Sequence, residues 1–407
     1  METESHSTAA TSTPTTQELT QQFIAHTYGR FPLTLVRGHG SLAYDDAGRE
    51  YIDLGTGIAV NGFGMSDPQW VNAVYEQLTT IAHTSNLYYT NPPAQLAQLL
   101  CERTGMAKVF FANSGAEANE AAIKVARKYA ADRFGIGADG LPARYTILTL
   151  EESFHGRTLS TLAATGQEHY HELFQPLTPG FTHVSPASGI AGVAAAHAAR
   201  PLAGVLIELI QGEGGIHVLD AQYVQELARW CGENDVLLMV DEVQTGNGRT
   251  GELYAFQRFG LHPDVVTTAK GIGGGLPLSA ALLAHSVHTV LGPGDHATTF
   301  GANPAICAGA LNVLNRIDSD LLAGVRAREA YIRSELEGAS GITGVSGMGL
   351  MLGVSTVKPA SDVVAACQAA GVLVLTAKEK VRLLPALNIP MDLLTRAIET
   401  LKDVCAL

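Results

Sequence analysis

Lys270 has the kind of surroundings in which a lysine becomes a nucleophile. It follows the apolar run Val265–Thr268 after one alanine, and a glycine-rich segment comes next. Among apolar and small neighbours, with other cationic groups nearby, the pKa of a lysine falls enough for its amine to attack a carbonyl and form a Schiff base. A lone lysine is more often simply solvated, so Lys270 indicates catalysis only together with partners.

Two adjacent acids, Asp241 and Glu242, follow the apolar run Val236–Val240. A carboxylate at the end of a buried strand can pair with a protonated heteroaromatic nitrogen, because the ion pair stabilises the charged ring. An acid in this position can equally well cap a turn or a helix. The same run resembles the second motif of a phosphate-loop ATPase, but the chain contains no GxxxxGK[ST] motif to accompany it.

A third candidate is the turn Asn113–Glu117, between the apolar run Lys108–Ala112 and a helical stretch. A strand, a turn of small residues and a helix start leave backbone N–H groups free at the positive end of the helix dipole, which suits a phosphate. Taken alone, an ordinary helix cap by Ser114 is the better interpretation.

Arginines stand at two further strand ends. Arg157 belongs to the segment Phe154–Thr158, which follows the apolar run Tyr145–Leu150, and Arg382 closes a late strand. Arginine is the usual fork for a carboxylate, although most arginines lie on the surface. The histidines show no metal-ligand spacing, so no metal is expected and they are interpreted as structural.

The segment Gly246–Gly251 matches the glycine pattern of dinucleotide-binding proteins. The compact strand–helix unit and the acid about 20 residues further on, which that function needs, are missing. We therefore interpret this segment as a loop.

These residues have to be positioned by a sheet. The apolar runs named above, together with Gly204–Ile210, alternate with longer helical stretches, which indicates a mostly parallel sheet covered by helices. Ligands bind beyond the carboxyl ends of such strands, where this chain concentrates its polar residues and glycines.

The two ends of the chain are predicted to form a smaller lobe. Helical spacing at Gln17–Tyr28 is followed by alternation at Leu33–Leu54, and a helix at Ala305–Ile317 precedes short strands. We predict a disordered tail at 1–16, small-domain segments at 17–65 and 301–407, and a large domain at 66–300.

Composition restricts the partners. The net charge of -13, without a basic cluster, disfavours nucleic-acid and membrane-surface roles. The five scattered cysteines favour neither a disulfide framework nor zinc, and the chain shows neither an apolar membrane span nor a signal peptide. A cytoplasmic location is expected.

Taken together and in this order, the motifs resemble those of the class III aminotransferases. They are Ser114–Glu120, Phe154–Thr158, Gln211–Gly215, Asp241–Gly246 and Ala269–Gly271. The resemblance implies aminotransferase fold type I, with a large, mostly parallel seven-stranded sheet domain and a small α+β lobe from both chain ends. It also implies a homodimer with shared active sites and the cofactor pyridoxal 5'-phosphate.

The resemblance assigns a role to each candidate. Lys270 forms the Schiff base with the cofactor and then moves the proton, while Asp241 pairs with the pyridinium nitrogen. Arg157 and Arg382 hold substrate carboxylates, Glu213 masks Arg382 for one substrate, and Tyr28 lies at the substrate mouth. Further cofactor contacts are implied for Ser114, Gly115, Ala116, Phe154, Val243, Gln244 and Thr299 of the partner subunit.

Within the class, the segments Thr56–Asn61 and Asn86–Tyr89 are most similar to the acetylornithine aminotransferases of arginine biosynthesis. The resemblance predicts transfer of the terminal amino group of N2-acetylornithine to 2-oxoglutarate. Alternatives are an ornithine, succinylornithine, 4-aminobutyrate or other ω-aminotransferase and, more distantly, a non-catalytic cofactor-binding paralogue. The chain departs from the family at Leu209, commonly proline, and at Ala302, commonly glycine, which puts the local loop geometry in doubt.

Overall fold

The computed structural model describes residues 13–406. Most of the predicted tail, residues 1–12, lies outside this range; Thr15 caps the first helix. The elements up to the start of the large sheet are α1 (Thr16–Phe23), β1 (Leu35–His39), β2 (Leu42–Asp45), β3 (Glu50–Asp53), α2 (Thr56–Ala59), α3 (Pro68–Thr80), α4 (Asn91–Thr104), β4 (Lys108–Ala112) and α5 (Gly115–Phe134).

The middle of the chain alternates strands and helices. Its elements are β5 (Thr146–Leu150), α6 (Leu159–Ala164), β6 (Phe181–Val184), α7 (Gly189–Ala199), β7 (Leu202–Ile207), β8 (Ile210–Gln211), β9 (His217–Val218), α8 (Ala221–Glu233), β10 (Leu237–Asp241), α9 (Ala255–Arg258), β11 (Val265–Thr268) and β12 (Ser279–Leu283). The remainder comprises α10 (Pro304–Arg316), α11 (Ser319–Leu336), β13 (Ile342–Met348), β14 (Met351–Thr356), α12 (Ala360–Ala369), β15 (Val372–Leu373), β16 (Leu375–Ala377), β17 (Lys380–Leu383) and α13 (Met391–Ala406).

The largest sheet has seven strands in the order β4-β12-β11-β10-β7-β5-β6. Six strands run in one direction, and β12 runs antiparallel to both of its neighbours, β11 and β4. This confirms the predicted α/β fold with a mostly parallel seven-stranded sheet. The carboxyl ends of β5, β7, β10 and β11 therefore meet at one edge.

Both faces of this sheet are buried, which explains why its strands are nearly continuous apolar runs. Successive residues of β10 face opposite sides: Leu237 and Met239 pack in a cluster with α5, whereas Leu238 and Val240 pack in the larger core cluster. A sheet covered on both faces holds its strand ends in fixed relative positions.

The two chain ends meet in smaller sheets. Strand β15 pairs with β3, placing Val372 beside Ile52, and β13, β14, β17 and β16 form a four-stranded antiparallel sheet. Ile52 and Leu54 share a core cluster with the last third of the chain. Helix α10, in contrast, packs into the core of the large sheet through residues such as Cys307 and Leu314. The division of the chain at residues 65 and 300 stays a prediction.

Several predicted element bounds were wrong. Helix α1 ends at Phe23, five residues before the predicted end at Tyr28. Strand β7 ends at Ile207 and not at Ile210, so Glu208 lies at its carboxyl end, on the same edge of the sheet as Asp241. Strands β6 and β12 were not predicted, because one is only half-buried and the other is a short run next to glycines.

The segment between β3 and α3 contains four consecutive residues with positive φ, and three of them are not glycine. Gly57, Ile58 and Ala59 have φ near +64°, and Thr56 before them has φ +47°. Such angles cost a non-glycine residue about 1–2 kcal/mol each, so the surrounding structure has to hold them.

Among residues 13–406, no helix has the length and hydrophobicity needed to cross a membrane.

Candidate active site

A cavity of about 460 Å³ lies at the carboxyl ends of the parallel strands. Its walls come from several segments that are far apart in sequence. They include Asn113–Ala116, Phe154–Arg157, Glu208, Asp241, Val243, Gln244 and Lys270. The cavity thus brings together nine of the residues predicted from the sequence: Ser114, Gly115, Ala116, Phe154, Arg157, Asp241, Val243, Gln244 and Lys270.

Lys270 stands two residues after the end of β11. It has φ +48°, a conformation that is unusual for a residue with a side chain, and its neighbours Gly271, Ile272 and Gly273 are buried. Burial lowers the pKa of Lys270 from 10.5 to about 8, although the nearby Glu213 opposes this shift. A substantial fraction of the amine is therefore neutral near physiological pH, as a nucleophile or a proton acceptor requires.

Asp241 is 4% exposed and is held in place by three donors. Its Oδ2 accepts hydrogen bonds from Asn119 Nδ2 and is 2.8 Å from His155 Nδ1, and its Oδ1 accepts one from the Val243 N–H at 3.0 Å. Asn119 is oriented in turn by Thr267, whose hydroxyl donates to Asn119 Oδ1. This network fixes the carboxylate at the wall of the cavity.

Sequence reasoning missed the roles of two residues in this network. His155 was interpreted as structural, yet it contacts Asp241, and Asn119 lies within a helix, where polar residues carry little information. The available signal was helical spacing: Asn119 is one turn after Gly115 in α5 and so faces the same way as the turn that begins the helix.

The start of α5 forms a tight cradle. Ser114 caps the helix by accepting a hydrogen bond from the Glu117 N–H, so the cap interpretation of Ser114 is confirmed. The N–H groups of Gly115 and Ala116 precede the first bonded turn and are the groups a helix leaves for an anion. A Cβ at Gly115 would lie 2.8 Å from Val243 Cγ1, so only glycine permits this approach.

Glu208 is a further residue that the sequence did not single out. Its Oε2 accepts a hydrogen bond from the Phe154 N–H at 2.8 Å, and its Oε1 accepts one from the Gly212 N–H at 3.3 Å. Burial, together with the charge of Asp241, raises the pKa of Glu208 well above its ordinary value. Glu208 fixes the backbone of the aromatic residue in the cavity wall.

Arg382 and Glu213 form an ion pair close to Lys270. Arg382 Nη1 donates to Glu213 Oε1 at 2.5 Å, and Arg382 Nε has no partner among the described residues. Burial alone would raise the pKa of Glu213, but the charge and hydrogen bond of Arg382 outweigh it and lower that pKa. Gln244 Nε2 also approaches Glu213, at 3.4 Å, which connects the pair to the cavity wall.

Three predicted residues are more peripheral. Arg157 is exposed and lies over the Tyr170 ring, 4.3 Å from its centroid, at the margin of the cavity. Tyr28 is 72% exposed and lines a separate cavity near α1. Thr299 is exposed and does not line the main cavity of its own chain.

The sequence profile of the family described as aminotransferase class-III matches residues 23–405. The chain belongs to the class III aminotransferases. It is therefore a pyridoxal-phosphate-dependent transaminase.

Proteins named acetylornithine aminotransferase are similar to this chain over almost its whole length. The chain is 46% identical over 390 residues to the acetylornithine aminotransferase of Haemophilus ducreyi, covering 95% of this chain and 98% of that protein. It is 41% identical to that of Caldanaerobacter subterraneus, covering 94% and 97%.

Solved structures of class III relatives have the same fold. An ornithine aminotransferase from Toxoplasma gondii superposes with a TM-score of 0.90 at 28% identity, covering 97% of this chain and 96% of that one. An acetylornithine aminotransferase from Elizabethkingia anophelis gives 0.83 at 30% identity, covering 95% and 97%.

The cavity of this class III aminotransferase fits its cofactor. A fixed carboxylate, a helix start with free N–H groups and a lysine of lowered pKa line one space, and the absence of a Cβ at Gly115 lets Val243 pack against the helix start. The two departures from the family are also accommodated: Leu209 is packed in the core, and Ala302 adopts φ +62°, a conformation that explains the common glycine.

Proposed function

We propose that this chain transfers the terminal amino group of N2-acetylornithine to 2-oxoglutarate, giving N-acetylglutamate 5-semialdehyde and glutamate, a step of arginine biosynthesis. The observation that carries the proposal is identity of 46% over nearly the whole length of a relative named acetylornithine aminotransferase. The geometry of the cavity supports it, because it offers groups for the cofactor and for carboxylates of the substrates.

Lys270 and Asp241 are assigned the central roles. When bound, pyridoxal 5'-phosphate supplies an electron sink that stabilises negative charge at the substrate carbon. Asp241 pairs with the ring nitrogen and keeps it protonated, as its fixed position at the cavity wall permits. Lys270 Nζ holds the cofactor and afterwards takes and returns the proton that moves between the substrate and the cofactor.

Phe154 and Val243 are assigned to the two faces of the ring, with Gln244 near its hydroxyl. All three line the cavity, and the hydrogen bond from the Phe154 N–H to Glu208 fixes the aromatic residue. Gly115 and Ala116 donate their N–H groups to the phosphate, beside Ser114.

Arg382 and Glu213 are proposed to distinguish the two substrates. While they are paired, Arg382 and Glu213 together carry little net charge. A site with little net charge suits the amino donor, whose α-amino group is acetylated and uncharged. When 2-oxoglutarate binds, its carboxylate replaces Glu213 on Arg382, whose free Nε provides a second donor. Arg157 is assigned to the other carboxylate, and Tyr28 to the substrate mouth.

A homodimer completes the proposed site. Thr299 is exposed in the isolated chain and is assigned to the phosphate of the partner's cofactor. The neighbouring segment Leu87–Tyr89 is apolar and highly exposed, and Asn86 Nδ2 ties it to the Gly301 carbonyl at 2.9 Å. Exposed apolar groups beside a catalytic residue are typical of a protein interface. The cytoplasm is the proposed location.

The test follows the absorbance of the bound cofactor in purified protein during single additions of N-acetylornithine, ornithine, 4-aminobutyrate and glutamate. We expect a rapid change with N-acetylornithine and glutamate and a much slower one with the other two amines. The Lys270→Ala variant should show no turnover, because no other residue of the cavity can replace its amine. A response mainly to ornithine or 4-aminobutyrate would overturn the proposed substrate.

Ornithine is the rival donor, since an ornithine aminotransferase is among the structural relatives. Gly57 and Ile58 line a third cavity, just before Val60, which lines the main one, and they have no side-chain hydroxyl for a free α-amino group. This composition favours an acylated donor.

A further inference from the structure

The loop Gly246–Gly251 is buried along its whole length, although it belongs to no helix or strand and no role in the reaction has been assigned to it. Loops usually lie at the surface, because buried backbone needs partners for its polar groups. Its two residues Asn247 and Arg249 have polar side chains that are almost completely buried. Asn247 bonds to the segment before Lys270, and Arg249 bonds to the segment after Arg382.

Asn247 holds the backbone around Lys270. Its Nδ2 donates to the Ala269 carbonyl at 3.2 Å and to the Thr268 hydroxyl at 3.1 Å. A Cβ at Gly271 would lie 3.2 Å from the Asn247 Cβ, so the loop packs on both neighbours of Lys270. Asn247 has φ +60° and Lys270 has φ +48°, so both residues adopt uncommon backbone conformations. The hydrogen bond from Asn247 to the Ala269 carbonyl connects the two strained positions.

Arg249 holds the backbone that follows Arg382. Its Nη1 donates to the Pro385 carbonyl and to the Leu350 carbonyl, the latter at 3.2 Å, and its own carbonyl accepts a hydrogen bond from the Leu350 N–H at 2.8 Å. No carboxylate pairs with this guanidinium among the described residues. Burial lowers the pKa of Arg249 to about 9.

A buried cation bonded only to carbonyls is costly to keep, and ordinary core packing does not need one. The outer side of the loop has two other anchors, since Arg258 donates to the Thr250 carbonyl and Arg326 to the Gly251 carbonyl. Arg249 differs from these arginines in reaching the segment that carries a substrate-binding residue.

We propose that the loop Gly246–Gly251 sets the distance between Lys270 and Arg382, with Asn247 and Arg249 as its two positioning residues. This inference rests on the proposed function only in assigning Lys270 to the cofactor and Arg382 to a substrate carboxylate. Asn247 fixes the lysine, and Arg249 fixes the turn after β17. Each variant should therefore disturb a different step.

The test compares Arg249→Met with Arg258→Met, the same change at an arginine of α9 that anchors the loop through the Thr250 carbonyl and contacts neither Lys270 nor the Arg382 segment. In the complete enzyme with its cofactor, Arg249→Met should raise KM for glutamate about tenfold with kcat changed less than about twofold. Arg258→Met should leave both close to those of the unsubstituted protein. Arg249→Lys serves as a second variant if the methionine protein does not fold.

Asn247→Ala tests the contact of the loop with the backbone around Lys270. We expect kcat to fall about tenfold with little change in KM, and the pH midpoint of the bound cofactor's absorbance to shift. The affinity of the apoprotein for pyridoxal 5'-phosphate, measured by titration, should also fall. Melting temperatures of all variants show whether each one is folded.

The proposal is overturned if Arg249→Met and Arg258→Met have the same effect, or if Asn247→Ala lowers the melting temperature without moving the cofactor's pH midpoint. Because these measurements use glutamate, they remain decisive when N-acetylornithine is not the donor. Failure of the proposed function would appear separately, in the substrate preference of the unsubstituted protein.

Discussion

At the scale of single residues, the charged groups of the site are held in different ways. Asp241 is held by neutral or hydrogen-bonding donors, Glu213 is paired with Arg382, and Lys270 is left without a direct ion-pair partner among the described residues. Burial lowers the pKa of Lys270 to about 8, so part of its amine is neutral near neutral pH.

The rate at which the apoprotein takes up pyridoxal 5'-phosphate should follow the titration of Lys270. Its pKa is lowered from 10.5 to about 8, so the neutral amine becomes the main form above pH 8. We expect the rate to rise as the pH passes through about 8 and then to level off, as measured by the absorbance change after mixing. A rate that still rises steeply around pH 10 would contradict the lowered pKa.

Sequence reasoning identified the charged residues of the site more readily than the residues that orient them. Lys270 and Asp241 stand just after apolar runs, a position that has a chemical meaning in a parallel sheet. Asn119 and His155 act through Asp241. Helical spacing places Asn119 on the same side of α5 as Gly115, but it does not reveal the contact with Asp241, which joins separate strands and helices.

At the scale of elements, the start of α5 and the end of β10 have to approach closely. Val243, just after β10, lies where a side chain at Gly115 would be. The contact between Gly115 and Val243 therefore positions two groups at once. It fixes the free N–H groups of the helix start relative to the carboxylate of Asp241.

Gly115→Ala should weaken cofactor binding, because the added Cβ would lie 2.8 Å from Val243 Cγ1 and displace either the valine or the helix start. We expect the affinity of the apoprotein for pyridoxal 5'-phosphate to fall about tenfold in an absorbance titration. Gly232→Ala is the matched control, since a Cβ in that part of α8 meets nothing within 4 Å. Equal affinities of the two variants would argue against the cradle.

The strands of the large sheet were predictable where they are long apolar runs, as in β10 and β11. The direction of β12 was not, because the alternation of side chains is the same in parallel and antiparallel strands. The end of β7 was placed too late for a related reason: Leu209 and Ile210 continue the apolar run beyond the last paired residue, Ile207.

At the scale of the whole molecule, the two chain ends join through β3 and β15, and Arg382, the proposed carboxylate-binding residue, lies in the four-stranded sheet of β13, β14, β17 and β16. The proposed site thus combines Arg382, from the C-terminal part of the chain, with Lys270, which follows a strand of the central sheet. The exposed segment Leu87–Tyr89 and Thr299 lie outside that arrangement and are the proposed contribution to a second subunit.

Leu87→Asp should disrupt the proposed dimer. Leu87 is 89% exposed in the isolated chain, and a carboxylate in an apolar interface would lose its hydration without a partner. We expect light scattering to give the mass of one chain and the transamination rate to fall at least tenfold. Val357→Asp, at a similarly exposed valine after β14, should change neither. A dimer that persists in Leu87→Asp would place the interface elsewhere.

The antiparallel strand β12 also determines when the site can be completed during synthesis. Strand β4, which leads into the phosphate cradle, has β12 as its single neighbour in the sheet, and β12 follows Lys270 in the chain. While the ribosome is still making the middle of the protein, β4 therefore lacks its pairing strand, and such edges are prone to aggregation. The cradle and the lysine become available in the same late folding step, so a nascent chain released before residue 283 would have no stable place for the cofactor.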